Sequence, residues 1–267
     1  MKRIALFSVL LAFCSAFSHA EEWNKNFSIT GTPTLKVEAD DADVRIRACD
    51  CKQIGARVVW EGYTASTVKI TENQNGDTVD LNVHTRSPHF NINLGERHKW
   101  IHIELTVPGQ AYLDAHTGDG HIQVNGIKGQ LRLHTSDGNI DIDGADGLLH
   151  AKSGDGHIRA AGRFDDLTLA TGDGQIEARV LPGSTIKSSW EFHSGDGRVN
   201  VRLPEDFSAN LHARTGDGGI HTDLPLTVEG ELKAGREVRG KLNAGGGSLE
   251  IQTGDGSIYL ERMSSLL

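Results

Sequence analysis

The chain predicts an all-β fold of stacked short strands, a β-solenoid, with a twisted β-sandwich of successive hairpins as the alternative the sequence leaves open. Three observations predict it. Thr/Ser-Gly-Asp-Gly occurs six times between Thr117 and Thr253, with a Thr-Ser-Asp-Gly variant starting at Thr135. The aspartates of these turns are Asp119, Asp137, Asp155, Asp173, Asp196, Asp217 and Asp255, the first four spaced 18 residues apart. Apolar residues alternate with polar ones on both sides of every turn. A short fixed period means one supersecondary unit piled on itself.

The alternation resolves into columns. Before the turn, Leu113, Leu131, Leu149, Leu167, Trp190, Leu211 and Leu249 align, and two residues on come Ala115, Leu133, Ala151, Leu169, Phe192, Ala213 and Ile251. After it come Ile122, Ile140, Ile158, Ile176, Val199, Ile220 and Ile258, then Val124, Ile142, Ala160, Ala178, Val201, Thr222 and Leu260. Each turn therefore joins two strands with one buried face. The Leu/Trp and Ile/Val columns stand 9 residues apart in all seven copies, whereas the return connections run 7, 7, 7, 12 and 10 residues before a long gap. The Gly-Asp-Gly corner is the constrained one; the opposite corner takes the insertions and faces solvent.

Local chemistry suggests why. Glycine reaches positive φ without penalty, so two glycines permit a sharp reversal. The Asp carboxylate is expected to cap a backbone N–H as an Asx-turn, and the Thr/Ser column to hydrogen-bond within or between turns. One unit buries about four apolar side chains at roughly 1.5–3 kcal/mol each. Ordering its backbone costs ~1–2 kcal/mol per residue, so a unit cannot stand alone and stacking is obligatory.

Residues 1–20 read as a signal peptide: Lys2 and Arg3, an apolar stretch, then Ser18-His19-Ala20 before Glu21. Phe13 ahead of Cys14 argues against a lipid-attachment signal. Residues 21–267 are expected to form one elongated domain, irregular over 21–110 and regular over 111–262. Leu35, Val37, Val44 and Ile46 already fit the columns, with Asp41 near the turn, so the stack is expected to begin there. Further strands are expected at 67–72, 78–84 and 100–107, with Asn75-Gly76-Asp77 as a hairpin turn. The segment 224–241 interrupts the period, and Gly245-Gly246-Gly247 reads as a decayed turn that lost its Asp.

Cleavage would remove two basic residues and no acid, taking the formal charge from −9 to −11. That argues against nucleic acid or anionic lipid as a partner. No later stretch approaches the ~20 apolar residues of a transmembrane helix. Cys49 and Cys51 are expected to form a local disulfide clip in an oxidising compartment, which needs a turn at Asp50; pairing across a dimer is the alternative.

The repeated [ST]-G-D-G-x-[IV] turns between short alternating strands, behind a signal peptide, resemble the DUF4097 family of candidate adhesins, and are similar to the head-GIN type. The match runs from about Thr34 to the C-terminus and is most specific from Leu113 to Leu260. The resemblance implies a stacked β-structure of the bacterial envelope, linked in some members to envelope stress, and it brings no catalytic residues. Gly246 in place of Asp and the wider spacings after Asp173 depart from the pattern.

Three chemical readings compete. Calcium-binding β-roll turns place the apolar residue two after the Asp, whereas here it lies three after, and one Asp per 18 residues supplies half the ligands a Ca²⁺ ion needs. The histidines His116, His134 and His193, and His121 and His157 across the turn, fall in columns broken by Lys152, Ala170, Asn139 and Gln175, which favours a solvent-facing polar ladder over a metal site. A carbohydrate-active enzyme on a β-helix needs carboxylates converging on one bond, whereas these recur in every copy. The sequence thus points to a non-enzymatic exported protein of the periplasm or cell surface, without catalytic residues, cofactor or metal, binding an envelope or surface macromolecule (protein or polysaccharide). The insertion-bearing corner, at 181–187, 204–208 and 224–241, is the expected contact region.

Overall fold

Alternating aliphatic and polar residues favour the extended backbone, where branched side chains pack on a pleated, half-buried surface. The computed structural model describes residues 20–64, 66–86, 99–228 and 235–263; the expected signal peptide lies outside them apart from residue 20. Among the described residues every regular element is a strand. The first part comprises β1 (Glu21–Ser28), β2 (Thr34–Ala39), β3 (Asp43–Cys49), β4 (Gln53–Glu61), β5 (Val68–Asn75), β6 (Thr78–Thr85) and β7 (Trp100–Pro108). The middle comprises β8 (Gln110–Thr117), β9 (Ile122–Asn125), β10 (Lys128–Thr135), β11 (Ile140–Ser153), β12 (Ile158–Thr171), β13 (Ile176–Val180), β14 (Ser189–Ser194) and β15 (Val199–Leu203). The last comprises β16 (Ala209–Thr215), β17 (Ile220–Thr222), β18 (Leu226–Val228), β19 (Glu237–Leu242), β20 (Ser248–Thr253) and β21 (Ile258–Arg262).

The copies stack in parallel and in register, as a β-solenoid requires. Leu113 pairs with Leu131, Leu131 with Leu149 and Leu167 with Trp190, while Ile122, Ile140, Ile158, Ile176 and Val199 pair in turn along a second ladder. The inward columns of both ladders form one continuous buried cluster. Only the rung at one end lets go, with Ile220 half-buried and Thr222 exposed.

Spatial order departs from sequence order at both ends. The last copy, β20 and β21, sits between β14/β15 and β16/β17, so Leu249 pairs with both Trp190 and Leu211. Likewise β2/β3 lies between β8/β9 and a further rung made of β6/β7. The stack therefore begins one rung earlier than Leu35 predicts. Antiparallel strands close each end: β5 on β6 and β4 with β1 on β7 at one, β19 with β18 on β16 at the other. Such capping leaves fewer open pairing edges than a bare parallel stack. Gly245-Gly246-Gly247 is not a decayed Gly-Asp-Gly corner: it joins the antiparallel cap strand β19 to β20.

The glycine argument also needs correction. None of the Gly-Asp-Gly glycines has positive φ. They are glycines because a Cβ on Gly138, Gly156, Gly174 or Gly197 would overlap the carbonyl of the corresponding glycine one rung away. Positive φ belongs to the opposite corner, at Gly126 (+74°) and Gly144 (+67°).

Candidate functional site

The constrained corner is built by hydroxyls. The Thr/Ser column is buried throughout. Thr135 Oγ1 donates to the carbonyls of Gly118 (2.7 Å) and Gly120 (3.0 Å) and accepts from Gly138 N (3.1 Å). Ser153 and Ser194 do the same with one carbonyl each, Gly138 O and Gly174 O, and accept from Gly156 N and Gly197 N. Hydrogen bonding within and between turns, expected of this column, is what holds the rungs at this edge. The expected Asx-turns are absent: among the described residues no backbone N–H donates to any of the seven turn carboxylates, and after Asp137, Asp155 and Asp173 the N–H two residues on is met instead by a side chain of the neighbouring rung.

Those carboxylates are exposed and lie in one row along the edge, ordered Asp119, Asp137, Asp155, Asp173, Asp196, Asp255, Asp217, with Asp41 next to Asp119. Neighbours stand one rung, about 4.8 Å, apart. Asp217 also meets Arg236 at 3.3 Å. The row does not converge on a point, and among the described residues no group of three or more His, Cys, Asp or Glu is placed to hold a metal ion.

The histidine columns behave differently from one another. His121 Nδ1 accepts from Asn139 N, Asn139 Oδ1 from His157 N, and His157 Nδ1 from Gln175 N, each at 2.8–2.9 Å. This column is a side-chain ladder bonding each rung to the next, which a reading as a merely solvent-facing row misses. On the other face His116 and His134 meet edge to face at 4.6 Å. Burial first, then His116 and Lys152, push the His134 imidazole below its usual value. A disulfide joins Cys49 and Cys51, their Cα atoms 5.3 Å apart.

The insertion-bearing corner has more shape. Where the return connection lengthens, the segment after β13 is tied back to β12: Leu181 N donates to Gly162 O, Thr185 N to Phe164 O and Lys187 N to Asp165 O. Asp165 accepts from Arg163 (2.6 Å) and Lys187 (2.9 Å), and these two cations, Arg163 first, hold its carboxyl down at about 2. Asn243, at positive φ (49°), donates to the carbonyls of Glu205 and Phe207, fixing the next insertion. Phe207 packs on buried Trp190 with ring centroids 5.0 Å apart. Together Gly183, Thr185, Ile186, Pro204, Asp206 and Gly247 help line a cavity of about 400 Å³. A Cβ on Gly247 would press on Ile186, so the triple glycine lets these loops meet. Segments 181–187 and 204–208 thus converge; 224–241 instead runs to the end cap, with 229–234 outside the described residues.

Fold and surface define a stacked-strand repeat scaffold with a hydroxyl-laced acidic edge and a looped corner. Residues 163–261 match the family described as Toastrack DUF4097, so the family read from the turn repeat is borne out in that segment. Among solved structures, a candidate adhesin from Bacteroides fragilis is similar with a TM-score of 0.51 at 10% identity, covering 91% of this chain and 97% of that one. A candidate cell adhesion protein from Clostridium sporogenes gives a TM-score of 0.42 at 13% identity (92% and 100% covered). A candidate lipid-binding protein from Parabacteroides distasonis gives 0.44 at 12% identity (92% and 98%). The first shows the shared fold; at this identity none transfers a ligand. No curated protein matches the chain. Among the described residues no helix is long and apolar enough to cross a membrane.

Proposed function

We propose that this is a non-enzymatic, exported envelope or surface scaffold that grips a macromolecular partner at its insertion-bearing corner. The observation that supports this most is the convergence of the 181–187 and 204–208 segments, with Gly247, around the cavity. Rigid rungs present these loops, and irregular segments on a regular frame are where binding residues collect. The turn acids, spread along the edge rather than gathered, suit a corner of the fold better than a pair of catalytic groups. Export rests on the character of residues 1–20, and the family link to envelope stress remains part of the proposal.

The test is co-sedimentation of the purified mature chain with isolated envelope fractions. Retention is expected, lost on Ile186→Asp and kept on Asp155→Asn. Full retention by the Ile186 variant, or none by the parent, overturns the reading. Products released from envelope polysaccharides would establish an enzyme instead, and a melting temperature lowered by chelator would establish a cation-dependent module.

A further inference from the structure

A second concave site lies at the far end of the molecule, on the outer face of β1, β4, β7 and β3. The registers place Asn24, Arg57, Glu104 and Arg45 in one row across these four strands, and Asn26, Gly55, Thr106 and Arg47 in the next. Gly55 is the gap in the second row. A Cβ there would stand 2.6 Å from Thr106 Oγ1 and 3.3 Å from Asn26 Oδ1, so glycine is what keeps the floor open. The resulting cavity measures about 470 Å³.

Its lining is basic. Arg45, Arg47 and Arg57 line it against a single carboxylate, Glu104, in a chain whose formal charge is −9, whereas Lys25, out of phase with Asn24 and Asn26, carries its charge to β5. Arg57 is fixed by Glu22 and Glu104, both at 2.9 Å, and Lys25 is held by Glu72. Arg45 and Arg47 form no ion pair with any described residue. They stand two positions apart on β3, about 6.8 Å along the strand, so both guanidiniums can reach one bound group. A planar guanidinium fork matches a carboxylate, and the nearby Asn24 and Asn26 amides and Thr106 hydroxyl match hydroxyl groups.

We infer that this groove binds a carboxylated sugar unit of an acidic polysaccharide, its carboxylate on Arg45 and Arg47 and its hydroxyls on Asn24, Asn26 and Thr106. The volume falls in the range of small-ligand sites. The site is separate from the insertion-bearing corner and does not depend on it.

The experiment titrates the mature protein calorimetrically with oligogalacturonate, with a neutral cello-oligosaccharide and with inorganic phosphate. Saturable binding of the acidic oligomer alone is expected, weakening as salt rises. The double variant Arg45→Ala/Arg47→Ala, which breaks no ion pair among the described residues, should reduce affinity by roughly tenfold or more. Gly55→Ala should reduce it without changing charge; should that variant fail to fold, Thr106→Val takes its place. Ile186→Asp at the other corner should leave it unchanged, so failure here and failure of the proposed corner are told apart. No saturable binding, equal binding of the neutral oligomer, binding of phosphate alone, or an arginine double variant that binds like the parent overturns the inference.

Discussion

Adding one methyl group to Gly156 should open the stack. The new Cβ would overlap the carbonyl carbon and oxygen of Gly138, which are backbone and cannot swing aside, and would lie 2.8 Å from Ser153 Oγ. Relief requires parting two rungs at their tightest corner. The bonds at stake are Gly156 N to Ser153 Oγ (2.9 Å), Ser153 Oγ to Gly138 O (2.9 Å), Gly154 N to Ser136 O (2.5 Å) and Ile140 N to His157 O (2.9 Å). At about 0.5–1.5 kcal/mol each, their loss comes to roughly 2–6 kcal/mol. Gly183 is the control. Its φ is +84°, but the nearest atom to an added Cβ is Arg163 Cδ at 3.8 Å, so alanine there meets only left-handed backbone strain of ~1–2 kcal/mol. Thermal melts followed by circular dichroism should show Gly156→Ala lowering Tm by roughly 5–20 °C and Gly183→Ala by about 2–8 °C. An equal or larger drop for Gly183→Ala would refute the claim that rung contact, rather than backbone dihedral, selects the turn glycines.

Thr135→Val keeps the shape but orphans Gly138 N–H in a buried corner, so urea melts should show a loss of about 1–3 kcal/mol, with Thr135→Ser near the parent. The Asp165 carboxyl has its folded value depressed from 3.8 to about 2. Its contribution is therefore present above pH 3.8 and lost as pH falls through that window, and Asp165→Asn should flatten the pH dependence of stability in this range. Asp137→Asn with Asp155→Asn relieves repulsion between like charges one rung apart; a gain of roughly 1 kcal/mol at low salt that fades as salt rises is expected. A loss of stability instead would mean that the carboxylates bond within the turn.

The columns, the stacking and the hairpin at Gly76 were legible because strand periodicity is written directly into side-chain alternation. The order of the rungs was not. Leu249 and Leu211 offer the same kind of surface to Trp190, so near-identical repeats do not specify which copy lies next to which. Position 156 was recognisable as glycine-demanding, but the reason lay in Gly138 one rung away. The ladder from His121 to Gln175 was likewise hidden, since a histidine bonding a backbone N–H 18 residues on looks in sequence like any polar column. The Arg45 groove draws on four strands and no repeat; its one sequence signal is the Arg-x-Arg alternation on an outward face of an acidic chain.

The doubled neighbours of β20 and β21 bear on how the molecule meets tension. Pulling at Arg262 drags a segment gripped on both flanks, so the hydrogen bonds on either side must slide together instead of parting one by one. Among the described residues the opposite end strand, β1, has one sheet neighbour, β4, and can unzip. Anchored through its tail, the pile would hold; tugged from its head, it would fray strand by strand.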